Sequence, residues 1–271
     1  MFATKYYYRV VLVALVFAGL LSNQVLLADR SLLVGPSRFD LSLSPGDEDT
    51  YVIRVNNDGT DKLLVETLLE NLYVREDGTP YYGPASDDVH SCAKWIRVSP
   101  QQFDLAPGQT QVVRFNLRVP ETALGSHYAV VFFRTLSALK GNNAIGVSSK
   151  IGTIVVLDVQ GTAPIVGDLV GLNVIPPHTA TDDVSLVYQA SLLMKNAGMA
   201  QFKVSGNIYL QDEKNQRVFE NHFDPITVVP EVTRNILIDG PTTLNAGAYT
   251  LKAEVEYQNE IIEGEHRFTV R

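Results

Sequence analysis

One phrase occurs twice in the first half of the chain: Val34, Pro36, Phe39, Asp40, Leu41, Pro45, Gly46, and again Val98, Pro100, Phe103, Asp104, Leu105, Pro107, Gly108. Each copy runs into an alternating apolar stretch, residues 51–55 and 112–119. Proline and glycine punctuate extended segments, so the predicted local structure is strand, Pro-Gly turn, strand. Further turn signals stand at Asn57-Asp58-Gly59, Asp77-Gly78, Asn142-Asn143, Asn196-Ala197-Gly198 and Asp239-Gly240-Pro241. The segments between them are rich in Val, Ile, Tyr and Phe, a pattern that predicts an all-β sandwich chain. Residues 63–73 carry the Leu and Glu of a helix, but no capping pattern brackets them, and they read as strand.

The N-terminus sets the compartment. Lys5 and Arg9 precede an apolar run over residues 10–21, and Leu26-Leu27-Ala28 supplies a small-residue exit. This is the layout of a cleaved signal peptide. An uncleaved anchor is the alternative, but the run is about a dozen residues and a bilayer-spanning helix needs about twenty. The membrane is therefore a partner only through the leader, if uncleaved. No Cys stands at the exit, and no later apolar run predicts a span or a lipid-anchor signal.

Loss of residues 1–28 removes Lys5 and Arg9 and no acid, taking the formal net charge from −8 to −10. An acidic surface repels nucleic acid and anionic headgroups, which excludes both as general partners. With one cysteine, Cys92, no intrachain disulfide forms, so stability comes from packing. The length after the leader suits two ordinary domains. The predicted division is 1–28 signal peptide, 29–162 first sandwich and 163–271 second sandwich, with a short seam near Gly161-Thr162-Ala163-Pro164.

The second half echoes the first. Asn196-Ala197-Gly198 matches the strand end at residues 56–59, and Gly247 with Tyr249 matches Gly125 with Tyr128. In each pair a glycine and an aromatic open a penultimate strand. The tyrosine reads either as a corner residue whose hydroxyl ties back to nearby backbone or as a plain core aromatic.

The stretch Trp95-Ile96-Arg97-Val98-Ser99-Pro100, then Phe103-Asp104-Leu105-Ala106-Pro107-Gly108, Val119-Pro120 and residues 125–133, carries a family resemblance. It resembles the immunoglobulin-like module of bacterial envelope proteins related to periplasmic pilus chaperones. It is also similar to the peptidoglycan-binding domain of WxL-interacting proteins. The resemblance spans roughly residues 32–160 and rests on a turn and core anchors, which specify fold more than ligand. It implies two tandem immunoglobulin-like β-sandwich domains, a periplasmic or otherwise extracytoplasmic location, and a partner that is another exported protein or a cell-wall polymer. In the chaperone-like relatives, the last strand of the first domain receives a client strand.

One feature of the sequence points to a surface. A half-buried strand alternates apolar and polar residues, yet residues 128–133 and 151–157 are apolar at both parities. One parity feeds the core and the other forms an outer patch, either Val131 with Phe133 or Ile154 with Val156. Arg134 and Lys150 are expected charge anchors at the strand ends. Burying such a patch is worth several kcal/mol at about 25 cal/mol per Å2. The alternative roof for the patch is the second domain or residues 136–147.

Reactive chemistry is not expected. His90 and Cys92 lie beside Asp87 and Asp88, but no second His or Cys pair completes a metal site. Asp47-Glu48-Asp49 and Asp182-Asp183 lack the glycine-spaced form of a calcium loop. The histidines, His90, His127, His178, His222 and His266, are scattered, and no nucleophile elbow, phosphate loop or His-Glu-x-x-His helix occurs. The expectation is a protein that is not an enzyme, with no cofactor, metal or catalytic residue. Trp95 reads as a core plug or a sugar-stacking platform. A glycan-binding module, the alternative to a chaperone-like assembly protein, would present Tyr73, Tyr81 and Tyr82 near a concave loop.

Overall fold

The computed structural model describes residues 31–136, 148–161, 163–179 and 184–271. The predicted leader, Asp182-Asp183 and most of the alternative roof at residues 136–147 lie outside the described residues.

The first ten strands are β1 (Leu32–Gly35), β2 (Arg38–Leu43), β3 (Glu48–Asn57), β4 (Leu63–Val74), β5 (Pro80–Pro84), β6 (Ile96–Ser99), β7 (Gln102–Leu105), β8 (Thr110–Arg118), β9 (Gly125–Leu136) and β10 (Lys150–Val159). They make two sheets. One has the order β1-β3-β8-β6, and the other β2-β10-β9-β4-β5, with β7 on the opening residues of β4. Ile53, Val55, Val113, Phe115 and Leu117 of the first sheet meet Val65, Val131, Phe133, Val155 and Leu157 of the second in one core. The segment with helical composition is strand β4. Its alternation buries Leu63, Val65 and Thr67 on one parity, so packing overrides the propensity of Leu and Glu.

The repeated phrase has a topological meaning. Each copy is two strands in different sheets rather than the single strand its spacing predicts: β1 pairs with β3 while β2 pairs with β10, and β6 pairs with β8 while β7 pairs with β4. Pro36 and Pro100 stand where the chain leaves one sheet for the other, because proline has no N–H to donate to a ladder. The turn glycines that follow, Gly46 and Gly108, have φ of +85° and +71°, a conformation that strains any residue with a Cβ. The strands after the turns, β3 and β8, then pair with each other at the sheet centre. The two copies therefore flank the first body on opposite sides.

The second body comprises β11 (Gly167–Ile175), β12 (His178–Thr179), β13 (Val184–Ser185), β14 (Gln189–Asn196), β15 (Phe202–Asp212), β16 (Arg217–Val228), β17 (Thr233–Asp239), β18 (Gly247–Tyr257) and β19 (Glu260–Val270). A sheet of order β11-β14-β17 faces one of order β16-β15-β18-β19. Leu192, Met194 and Ile236 pack against Val204, Ile208, Leu251 and Val255 in a second core. The chain is thus all-β with two sandwich cores, and its helical content among the described residues is one 3-10 turn, Ala93–Trp95.

The internal echoes are physical. Asn57 is fully buried; its amide donates to the carbonyls of Asp61 and Leu105, and its carbonyl oxygen accepts from the Gly59 N–H. Asn196 does the same with Ala200, Val228 and Gly198. The glycines open β9 and β18 as expected. Tyr249 is a corner residue, its hydroxyl donating to the Asn245 carbonyl at 3.0 Å, whereas Tyr128 donates to Gln201 of the second body at 3.2 Å.

Candidate partner-binding face

Strand β9 is buried at every position from Gly125 to Phe133, which an ordinary half-exposed strand is not. It lies between β4 and β10, in register with both: Phe132 faces Leu68 and Gly152, and Val130 faces Glu70 and Ile154. Ala129, Val131 and Phe133 join the core of the first body. By strand alternation, Tyr128, Val130, Phe132 and Arg134 occupy the opposite face, together with Ile154 and Val156 of β10.

This decides between the two expected patches. Ile154 and Val156 are on the outer face, of which Ile154 is half-buried and reachable while Val156, 2% exposed, is covered and is not a contact a partner can make. Val131 and Phe133, both 0% exposed, are not; they are core residues, and a partner cannot reach them. The outward aromatic is Phe132, and Val130 stands beside it. The signal was available in the strand period: Arg134 and Lys150 are charged and must face solvent, so Phe132, Val130 and Tyr128 share the parity of Arg134, and Gly152, Ile154 and Val156 that of Lys150.

The outer face is built around Phe132. Its ring stands edge-on to Tyr82 with centroids 5.0 Å apart, and the Lys150 ammonium lies 4.0 Å from its centroid. The ring also lies over the backbone of Gly152, where a Cβ would come within 2.7 Å of the ring and 2.6 Å of Val130. Glycine at 152 is what lets the ring lie flat. Val130 and Val156 are covered, Ile154, Leu68 and Leu72 are half-buried, and Tyr82 and Leu64 are exposed.

The expected charge anchors are engaged within the sheet. Arg134 and Lys150 are direct cross-strand neighbours, a repulsive placement that β4 offsets. Glu66 pairs with Arg134 at 2.5 Å and Glu70 with Lys150 at 2.6 Å. The pairs border the apolar face as a charged rim.

The edge of β10 divides into two parts. From Ile154 to Val159 it is laddered in parallel to β2, so a partner strand cannot add there without displacing β2. Residues Lys150 to Thr153 pair with β9 alone, and the ladder with β2 begins only at Ile154, whose N–H donates to the Ser37 carbonyl. Ile154 turns its N–H toward β2, so by alternation the backbone groups of Lys150 and Gly152 are the ones placed to meet an added strand. Those of Ile151 and Thr153 face β9, and the buried Thr153 hydroxyl donates to the Pro36 carbonyl.

No protein-family model matches the chain, and no curated protein matches it. Solved structures similar to it include periplasmic pilus chaperones. With the class 5 fimbriae chaperone CfaA the identity is 13% and the TM-score 0.46, over 88% of this chain and 98% of that one. With a chain of the CsuC-CsuE chaperone-tip adhesion subunit pre-assembly complex of Acinetobacter baumannii the identity is 10% and the TM-score 0.41, over 77% and 90%. With the periplasmic chaperone SfaE they are 13% and 0.37, over 88% and 98%.

The remaining polar and aromatic groups singled out in the sequence have local roles. Among the described residues no group of three His, Cys, Asp or Glu side chains is placed to hold a metal ion. Burial pushes the Cys92 thiol up to about 12, so the unreactive thiol dominates near neutrality. His127 is pushed down to about 4, chiefly by burial, with repulsion from His90 a lesser cause and a hydrogen bond to the Leu124 carbonyl opposing. Asp47 and Asp49 accept from the backbone N–H groups of Ser44 and Thr50 and serve their own turn. Trp95 packs half-buried against the core, its ring 4.4 Å from that of His127. Tyr81 and Tyr82 are consecutive in a strand and so point to opposite faces: Tyr81 stacks on Tyr73 at 4.9 Å, and Tyr82 meets Phe132. The three tyrosines do not form one platform.

Proposed function

We propose that this chain is an exported, non-catalytic binding protein of the cell envelope that holds another exported protein on the outer face of β4, β9 and β10. The chain divides at residue 162 into two immunoglobulin-like domains, after a signal peptide of residues 1–28 that is removed on export to the periplasm or its equivalent. A partner strand adds to the edge of Lys150 to Thr153 and sets its side chains against Phe132, Ile154, Tyr82 and Leu68.

The observation that carries this reading is β9, apolar at both parities, with an outer row bordered by paired charges and ending beside an unladdered stretch of β10. Main-chain hydrogen bonds give a strand-adding complex its affinity and side-chain pockets its choice of partner. The sequence resemblance to chaperone-like modules implies the same use of this strand.

The test is capture. Purified protein lacking the leader is incubated separately with whole peptidoglycan and with solubilised envelope proteins. The reading expects a specific exported protein to be retained by the wild type and lost from a folded Ile154→Asp variant. Sedimentation with peptidoglycan and no captured protein would reject it.

A further inference from the structure

Between the two bodies lies a cavity of about 170 Å3 whose lining includes Tyr73, Tyr81, Asp88, His90, Tyr128 and Glu231. Its lining holds two carboxylates and no lysine or arginine. Nearby Arg75 is stacked on Tyr81, 4.8 Å from the ring centroid, and does not line the cavity.

His90 makes the cavity chemically specific. Its Nδ1 is 3.0 Å from the Ser126 carbonyl oxygen. A carbonyl only accepts, so Nδ1 carries a proton, and in the neutral tautomer that this fixes, Nε2 is the acceptor. That nitrogen is buried and has no hydrogen-bond partner among the described residues. The charged group it faces, Glu231 Oε2 at 3.9 Å, belongs to the second body and is a second acceptor. His90 Nε2 is thus a buried acceptor without a donor, which is costly, and it faces a carboxylate that is itself largely exposed to solvent.

We propose that this seam cavity is a cation site, taking a guanidinium or primary ammonium group that donates to His90 Nε2 and to the Glu231 carboxylate. The cation is either a basic side chain of a bound protein or a free small amine. The site stands whichever face of the first body holds the partner.

The test follows the His90 ring resonances by NMR in the purified protein as methylguanidinium, putrescine or neutral urea is added. A saturable shift with methylguanidinium or putrescine and none with urea is expected. Glu231→Gln, at a solvent-accessible side chain, weakens binding by about tenfold, the loss of one charge-assisted hydrogen bond. Tighter binding of a capped Gly-Arg-Gly peptide than of methylguanidinium assigns the site to a side chain; the reverse order assigns it to a free amine. Equal responses to urea and methylguanidinium, or unchanged binding in folded Glu231→Gln, would overturn the proposal.

Discussion

Asn57 and Asn196 each close a strand end with three hydrogen bonds to backbone, made from a fully buried side chain. Replacing either with Ala leaves two carbonyls and an N–H without their partner, and each unsatisfied buried group costs about 1–3 kcal/mol. Asn57→Ala and Asn196→Ala are each expected to lower unfolding free energy by about 2–4 kcal/mol, read by urea denaturation. His127 is a second residue-scale test. Its folded pKa is depressed to about 4 from an ordinary value of 6.5. Below 6.5 the unfolded chain binds a proton that the folded chain refuses, so stability falls as pH drops from 6.5 towards 4 and then levels off. His127→Gln should flatten that part of the stability profile; a profile identical to wild type would mean that the imidazole is not held neutral.

At the scale of the element, parity is the informative property of β9 and β10. Val131→Asp places an unpaired carboxylate in the first core and should abolish folding, whereas Ile154→Asp, half-buried on the outer face, should leave the circular dichroism spectrum intact. Gly152→Ala drives a methyl group into the Phe132 ring and should cost about 1–3 kcal/mol, visible as a lower Tm. Strand identity was readable in the sequence because turn residues bracket each apolar run, and β4 was recoverable despite its Leu and Glu. The outward row was half readable: Arg134 and Lys150 set the parity, but nothing local to Phe132 reveals that Gly152 and Tyr82 make its seat. The sheet switch within the repeated phrase was not readable from spacing, because Pro36 and Pro100 mark an interruption without saying which sheet the chain joins next. That choice is made by distant partners, β10 for one copy and β4 for the other.

At the scale of the molecule, the two bodies are joined by more than the connecting residues. The Ser126 N–H donates to the Met199 carbonyl at 2.9 Å, Gln201 bonds Asp158, and Arg234 with Asn235 holds the Glu76 carbonyl of the β4–β5 loop. Gly125 is a point of close backbone approach: its φ is +79°, and a Cβ there would stand 2.1 Å from the Met199 oxygen. Gly125→Ala should loosen the seam while both cores persist, seen as a larger radius of gyration in small-angle scattering with little change in circular dichroism.

The outer face of β9 and the adjoining edge of β10 are the surfaces proposed to hold a partner protein. Hydrogen exchange on the captured complex tests this most directly, by comparing amide protection in free and bound protein. New protection is expected at the Lys150 and Gly152 amides, whose N–H groups turn away from β9, and none at the outer edges of β1 and β6. Protection confined to those edges, or to the second body, would contradict it.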